Sequence, residues 1–117
     1  MHRLDGHVVL VTGASGTLGR EISNAVLREG GIAFRTDHRG EVGENIDHLH
    51  DVTKEDDWWT VIKAIEKRFG RLDGLVNNAG ILHMGSIENT SLADWRRVMS
   101  VNTDGVFLGC HCAWDLL

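Results

Sequence analysis

The chain has 117 residues and a formal net charge of −5, so it is the size of one domain and provides no basic surface for nucleic acid. Its two cysteines, Cys110 and Cys112, are too close in sequence to staple a secreted scaffold, and no apolar run reaches the roughly 18 residues that cross a bilayer. We therefore expect one cytoplasmic domain over residues 1–117, without membrane or nucleic-acid partners.

The first half of the chain predicts two strands separated by a helix, then a weaker strand. Residues 7–13, HVVLVTG, form a short apolar run typical of a strand buried on both faces. A helix is predicted from Thr17, with apolar residues at helical spacing: Leu18, Ile22, Ala25 and Val26. Strands are predicted at 32–37 and 45–52, and the glycine-rich link between them is too short for a crossover helix.

The clearest helical pattern follows Thr53, which with Asp56 resembles a capping box. The apolar residues of this predicted helix share one face: Trp58, Val61, Ile62, Ile65 and Phe69. Gly70 ends the helix, and residues 72–80 predict a fourth buried strand that runs into a turn. Trp58 is expected inside, and Trp59 is the more exposed of the two.

A third helix is predicted after Ser91, where Ser91 and Asp94 repeat the capping spacing. Its apolar positions are Leu92, Trp95, Val98 and Met99, and Trp95 is expected to be packed in the protein interior. The alternation of strands and helices predicts an α/β fold, a doubly wound parallel sheet of about four strands in the order 3-2-1-4 with flanking helices.

Three glycines at regular spacing, Gly13, Gly16 and Gly19, connect the first strand to the first helix. Gly13 allows the tight exit from the strand, Gly16 lets a pyrophosphate approach the backbone, and Gly19 lets the helix pack on the sheet. Unpaired N–H groups and the helix dipole at such a turn favour an anion. The alternative is a glycine-rich turn without a ligand.

Asp37 is a candidate for binding the adenosine ribose. It ends the second predicted strand, 18 residues after Gly19, where a carboxylate can accept both ribose hydroxyls. Because a carboxylate there repels a 2′-phosphate, NAD is favoured over NADP, although Arg35 and Arg39 are near enough in sequence to weaken that preference. The alternative is a solvated aspartate in a turn.

Four separated motifs in register resemble the short-chain dehydrogenase/reductase family. They are TGASGTLG after the first strand, DVT at 51–53, NNAG at 77–80 and VMSVNTDGVFLG around Asn102. The region 55–81 is particularly similar to hydroxysteroid and related alcohol dehydrogenases. The resemblance implies a Rossmann fold and NAD(P)-dependent interconversion of a secondary alcohol and a ketone.

The resemblance also assigns roles to individual residues. Asp37 would hold the adenine ribose, and Asn102 would bend its helix and hold a water of the proton relay. The remaining implied cofactor residues lie around the pyrophosphate (Gly13, Ser15, Thr17, Leu18 and Gly19), the adenine ring (Asp51 and Val52) and the nicotinamide side (Asn78, Ala79 and Gly80). The family's usual middle glycine falls at Thr17, whereas this chain has Gly16.

In the family, a serine and a Tyr-x-x-x-Lys pair follow the asparagine matched by Asn102 and carry out proton transfer. The sequence contains no tyrosine and ends at Leu117. We therefore expect a truncated, cofactor-binding half that is inactive alone as an enzyme. The alternative is a complete dinucleotide-binding sensor or assembly protein without catalysis. The sheet edge left uncovered favours a homo-oligomer or other self-association.

Other chemistry is weakly indicated. Cys110 and Cys112 would point to opposite sides of a helix, and His48 and His50 lack an evident third ligand beyond Asp51, so we expect no metal. Neither Ser15 nor Ser100 has the flanking glycines of a nucleophile elbow.

Overall fold

Four parallel strands form the sheet of the computed structural model, which describes residues 2–117 of the predicted domain and leaves Met1 outside. The strands are β1 (Val8–Val11), β2 (Ile32–Asp37), β3 (His48–Leu49) and β4 (Gly74–Val76). Their order is β3-β2-β1-β4, and every pair is parallel. The predicted fold class and strand order are confirmed.

Four α-helices accompany the sheet: α1 (Thr17–Arg28), α2 (Glu55–Phe69), α3 (Leu92–Met99) and α4 (Gly105–Ala113). A 3₁₀ turn covers Ile87–Asn89, and a π-helical turn at Ser100–Asp104 joins α3 to α4. No helix within residues 2–117 is long and apolar enough to span a membrane.

Side chains of β1 alternate between two hydrophobic layers, as expected for a sheet covered on both faces. Val8 and Leu10 pack with residues of α2 and α4, including Trp58. Val9 and Val11 pack on the opposite face, where α1 contributes Val26. The helices on the two faces therefore complete the doubly wound arrangement.

Helix α2 has the predicted buried face, but its N-terminus differs from the prediction. Trp58 is fully buried, and Gly70 ends the helix in the left-handed conformation at φ +70°. The capping box at Thr53 is wrong, because the N-cap is Lys54 and no side chain caps the helix. Thr53 Oγ1 instead donates to Oδ1 of Asp51 at 2.6 Å. The hydroxyl that was predicted to cap the helix is therefore bonded to a nearby carboxylate.

Helix α3 begins as predicted, since Ser91 Oγ accepts the backbone N–H of Asp94 at 3.0 Å. The expectation that Trp95 packs inside is wrong, because Trp95 is 55% exposed and no residue of α3 is buried. In residues 2–117 this helix contacts mainly the π-helical turn that continues it, so its apolar side has no layer to cover.

The link between β2 and β3, residues 38–47, contains no helix, as predicted. An ion pair closes it: Oδ1 of Asp47 lies 3.1 Å from a terminal nitrogen of Arg35, and its Oδ2 accepts the Arg35 backbone N–H at 2.8 Å. Ile46 is fully buried and fills space beside the sheet. A short loop thus replaces a crossover helix.

Candidate functional site

The carboxyl ends of β1, β2 and β4 surround a cavity of about 890 Å³. Ligand sites in open α/β sheets occur at this end of the strands, where the loops that leave neighbouring strands diverge. The cavity is the candidate site, and it is built from the glycine loop, the end of β2, the segment after β3 and the loop after β4.

The glycine loop is packed so closely against the loop after β4 that two of its positions exclude a side chain. Gly13 has φ +62°, and a Cβ there would lie 2.9 Å from Cα of Ala79. A Cβ on Gly19 would overlap the carbonyl oxygen of Gly13. At Gly16 the nearest atom to such a Cβ is the Gly13 oxygen at 3.5 Å, so this glycine leaves space open instead of relieving a clash.

Helix α1 presents an uncapped N-terminus at this cavity. Gly16 is its N-cap, no side chain bonds there, and the first turn has no acidic residue. The leading N–H groups of an α-helix have no intrahelical acceptor and carry the positive end of the dipole. Thr17 and Leu18, which line the cavity, therefore lie where the backbone can bind an anion.

Asn78 and Thr12 fasten the ends of β1 and β4 together. The Asn78 amide donates to the backbone oxygens of Thr12 at 3.0 Å and Gly13 at 3.2 Å. In return, Thr12 Oγ1 accepts the backbone N–H groups of Asn78 at 3.1 Å and Ala79 at 3.0 Å. These bonds hold the glycine loop against residues 78–80.

Asp37 is buried and accepts hydrogen bonds on both carboxylate oxygens. Oδ2 receives the Ser15 hydroxyl at 2.6 Å and the Ser15 backbone N–H at 3.1 Å. Oδ1 receives the His38 backbone N–H at 2.7 Å and lies 3.0 Å from Nδ1 of the His38 ring. Burial opposes ionisation, but the hydrogen bonds from Ser15, His38 and Arg39 hold the pKa of Asp37 below its usual value.

The two arginines near Asp37 in sequence differ in position. Arg35 is held by Asp47 and does not line the cavity, whereas Arg39 does. The expectation that Arg35 acts on the ribose end is therefore wrong, because its guanidinium is committed to another carboxylate. Arg39 remains as a cation beside Asp37.

Asp51 and Val52 form the wall contributed by the segment after β3. The side-chain hydrogen bond from Thr53 lowers the pKa of Asp51. Both bonds from Thr53 end on Oδ1, so Oδ2 accepts no hydrogen bond within residues 2–117. The backbone oxygen of Val52 accepts the indole N–H of Trp58 at 2.9 Å, which fixes this wall to α2.

Asn102 lies in the π-helical turn and binds the backbone of Ile81 with both ends of its amide. Its Oδ1 accepts the Ile81 N–H and its Nδ2 donates to the Ile81 oxygen, each at 2.8 Å. It does not line the cavity, although the residue it holds does. Its role in a proton relay stays a prediction.

The structure brings every other residue of the predicted site to the one cavity: Gly13, Ser15, Gly16, Thr17, Leu18, Gly19, Asp37, Asp51, Val52, Asn78, Ala79 and Gly80. Sequence reasoning did not predict a cofactor contact for eight further lining residues, of which only Arg39 was considered for its charge: His38, Arg39, His50, Thr53, Ile81, Arg97, Ser100 and Val101. Seven of these eight, all except Arg97, lie one or two residues in sequence from Asp37, Asp51, Val52, Gly80 or Asn102, and that adjacency was the available signal.

The candidates for a metal site or a nucleophile are divided: Ser15, Ser100, His50 and Asp51 line the cavity, whereas His48, Cys110 and Cys112 do not. Cys110 is exposed and Cys112 is buried, as the helical spacing predicts. Within residues 2–117 no group of three His, Cys, Asp or Glu side chains is arranged to hold a metal ion.

Comparisons with known proteins agree with this architecture. The family model described as short chain dehydrogenase matches residues 7–117. A 3-beta-hydroxysteroid dehydrogenase of Comamonas testosteroni is 41% identical over 94% of this chain and 47% of its own length. An NADP-dependent (R)-specific alcohol dehydrogenase of Lentilactobacillus kefiri is 35% identical over 92% of this chain and 47% of its own. The chain therefore spans about half the length of the curated relatives it matches.

Solved structures show the same relationship. A short-chain dehydrogenase/reductase, glucose/ribitol dehydrogenase, from Brucella melitensis superposes with a TM-score of 0.90 at 31% identity, over 97% of this chain and 53% of that one. An aldohexose dehydrogenase from Thermoplasma acidophilum superposes with a TM-score of 0.87 at 36% identity, over 97% and 44%. The chain belongs to the short-chain dehydrogenase/reductase family, whose members bind NAD(P).

Proposed function

We propose that this chain binds a nicotinamide dinucleotide, NAD in preference to NADP, and serves an oxidoreductase that interconverts a secondary alcohol and a ketone. One observation carries the proposal: twelve residues expected to contact the cofactor, from four separate segments, surround one cavity. A volume of about 890 Å³ is within the range of cofactor clefts. When bound, the nicotinamide would accept or supply the hydride of the reaction.

Each part of the cavity suits one part of the dinucleotide. The N–H groups at the start of α1, with the open space at Gly16, would hold the pyrophosphate. Asp37 would accept the adenosine ribose hydroxyls, and the unused Oδ2 of Asp51 with Val52 would meet the adenine. Asn78, Ala79 and Gly80 would line the nicotinamide side. Asn102 would position that side by fixing Ile81.

The preference for NAD is argued from charge. The pKa of Asp37 is below its ordinary value, so the carboxylate is ionised near neutral pH. A 2′-phosphate beside it would meet like charge in a partly buried site. Arg39 partly offsets this repulsion, whereas Arg35 is neutralised by Asp47.

A secondary alcohol or ketone is the proposed substrate class because hydroxysteroid and alcohol dehydrogenases are among the relatives of this chain. We also propose a reducing, cytoplasmic setting, in which the free thiols Cys110 and Cys112 persist.

Self-association is part of the proposal. Strand β4 forms an edge of the described sheet, and an apolar surface groove on α2 and α4 includes Trp59, Phe107 and Trp114. Unpaired strand edges and exposed aromatic patches both favour contact with another chain. Sedimentation velocity over a concentration series should show a concentration-dependent dimer or larger species, and a monodisperse monomer would contradict this part.

The proposed function is tested by titrating the purified chain with NADH and following the cofactor's fluorescence. Saturable binding is expected, and Asp37→Ala should weaken it about tenfold or more because the ribose hydroxyls lose a charged acceptor. Asp104→Asn, which removes an exposed carboxylate outside the cavity, is the matched control and should bind like the parent chain. Absence of saturable binding would refute the proposal.

A further inference from the structure

The imidazole of His38 contacts the proposed ribose carboxylate of Asp37. Its Nδ1 lies 3.0 Å from Oδ1 of Asp37, the oxygen that also accepts the His38 backbone N–H at 2.7 Å. The His38 side chain is 58% exposed, whereas that of Asp37 is 9% exposed. Both residues line the cavity, so the ring lies beside the carboxylate that a ribose would approach.

The acceptor positions of Asp37 are already filled. An ionised carboxylate offers about four lone-pair positions. Ser15 donates its hydroxyl and its backbone N–H to Oδ2, His38 donates its backbone N–H to Oδ1, and the backbone of Arg39 also bonds this carboxylate. The His38 ring adds an ion-pair contact to Oδ1 at 3.0 Å. A ribose hydroxyl can reach Asp37 only when a side-chain donor leaves. The exposed His38 ring has room to swing away, because it does not pack in the core.

The charge of the His38 ring affects whether the site around Asp37 attracts or repels a 2′-phosphate. The titratable and charged groups that line the cavity with His38 come from three segments: Asp37 and Arg39 beside it, His50 and Asp51 after β3, and Arg97 on α3. An imidazolium at His38 would pair with Asp37 and cancel the charge that repels a phosphate. A neutral ring would leave the Asp37 charge uncompensated.

We propose that His38 is a specificity-determining residue of this cavity, whose protonated ring competes with ribose hydroxyls for Asp37 and favours a 2′-phosphate. Protonation then shifts the preference from NAD toward NADP. The inference rests on the proposed function, because it requires that a dinucleotide bind with its ribose at Asp37. The pH range of the test is the one in which imidazoles in general change charge.

The experiment measures the dissociation constants of NADH and NADPH by fluorescence between pH 6.0 and 8.5. The parent chain is compared with His38→Asn and with the control His48→Asn, whose ring bonds the Leu49 carbonyl and does not line the cavity. Because the 2′-phosphate itself titrates near pH 6, the informative quantity is the difference between variants. From pH 6.0 to 8.5, the ratio Kd(NADPH)/Kd(NADH) should rise about tenfold more in the parent chain than in His38→Asn.

The outcomes separate this inference from the proposed function. The ratio Kd(NADPH)/Kd(NADH) in His48→Asn should change with pH as it does in the parent chain. An equal rise of this ratio in the parent chain and in His38→Asn overturns the role of His38. If NADH binds and depends on Asp37 while His38 has no effect, only this inference fails. If NADH does not bind at any pH, both the inference and the proposed function fail. His38→Gln provides a second variant should His38→Asn not fold.

Discussion

The hydroxyl of Ser15 lies 2.6 Å from Oδ2 of Asp37, although 22 residues separate them in sequence. The parallel register of β1 and β2 produces this contact, because Val11 is opposite Arg35 and the next residues of both strands leave the sheet side by side. The Ala14 N–H also bonds the Thr36 oxygen at 2.9 Å. The glycine loop and the proposed ribose carboxylate are thus one connected structure.

Replacing Ser15 with alanine should remove the shortest hydrogen bond to Asp37. We expect a loss of about 1 kcal/mol of unfolding free energy at pH 7, measured by urea unfolding. The pKa of Asp37 is lowered in the folded chain, so the stability that it contributes is present above the unfolded value of about 3.9 and is lost as pH falls through the folded pKa. The cost of Ser15→Ala should therefore shrink below about pH 4. Ser100→Ala, which removes an exposed hydroxyl bonded to the Arg97 oxygen, should cost less than about 0.5 kcal/mol.

Alanine at Gly19 and at Gly16 should have different effects on stability. At Gly19 the new Cβ would meet the Gly13 carbonyl and lie 2.8 Å from Cα of Ala14, so backbone must move. We expect Gly19→Ala to cost about 2 kcal/mol by urea unfolding. Gly16→Ala should cost less than about 1 kcal/mol, from the poorer N-cap alone. Equal losses would contradict the close packing described for Gly19.

Phenylalanine at Trp58 tests the wall of the cavity that α2 supports. Trp58 is fully buried, and its indole N–H donates to Val52 at 2.9 Å. We expect Trp58→Phe to cost about 2 to 3 kcal/mol, because it removes buried volume and leaves a carbonyl unpaired. Trp95→Phe is the matched control and should change the unfolding free energy by less than about 0.5 kcal/mol, since Trp95 is exposed. A large loss of unfolding free energy in Trp95→Phe would contradict the exposed position of this side chain.

His50 should make stability depend on pH. Burial lowers the pKa of His50 to about 4, and its Nδ1 bonds Thr36 Oγ1 at 2.8 Å. In the unfolded chain a histidine titrates near 6.5, so as pH falls below that value the unfolded state binds a proton that the folded state refuses. Between pH 7.5 and 5.0 the parent chain should lose about 2 kcal/mol more unfolding free energy than His50→Asn.

The control for that measurement is His48→Asn, two residues away on the same strand segment. His48 is not buried, so this variant should keep the pH dependence of the parent chain in urea unfolding. If His50→Asn and the parent chain lose the same free energy between the two pH values, the buried neutral imidazole is not the source of the effect.

Local patterns in the sequence predicted most of the fold. The bounds of β2, the buried face of α2, the stop at Gly70 and the cap at Ser91 depend on residues within one or two turns of each other. The absence of a helix between β2 and β3 was also predictable, because the segment that joins these strands is too short for a crossover helix. Even the cavity wall could be anticipated, since loops after parallel strands meet at one edge.

Sequence patterns alone were therefore sufficient to predict where strands and helices form, their order, and which segments end at the cavity. The partners of the polar side chains depend on tertiary packing: Ser15 and His38 contact Asp37, Arg35 pairs with Asp47 outside the cavity, and Thr53 bonds Asp51 instead of capping a helix. It also decided that Trp95 is exposed. The physical reason is that periodicity reports only which side of an element is apolar. The partner of each polar group depends on strand register and on competition among several donors within about 3 Å.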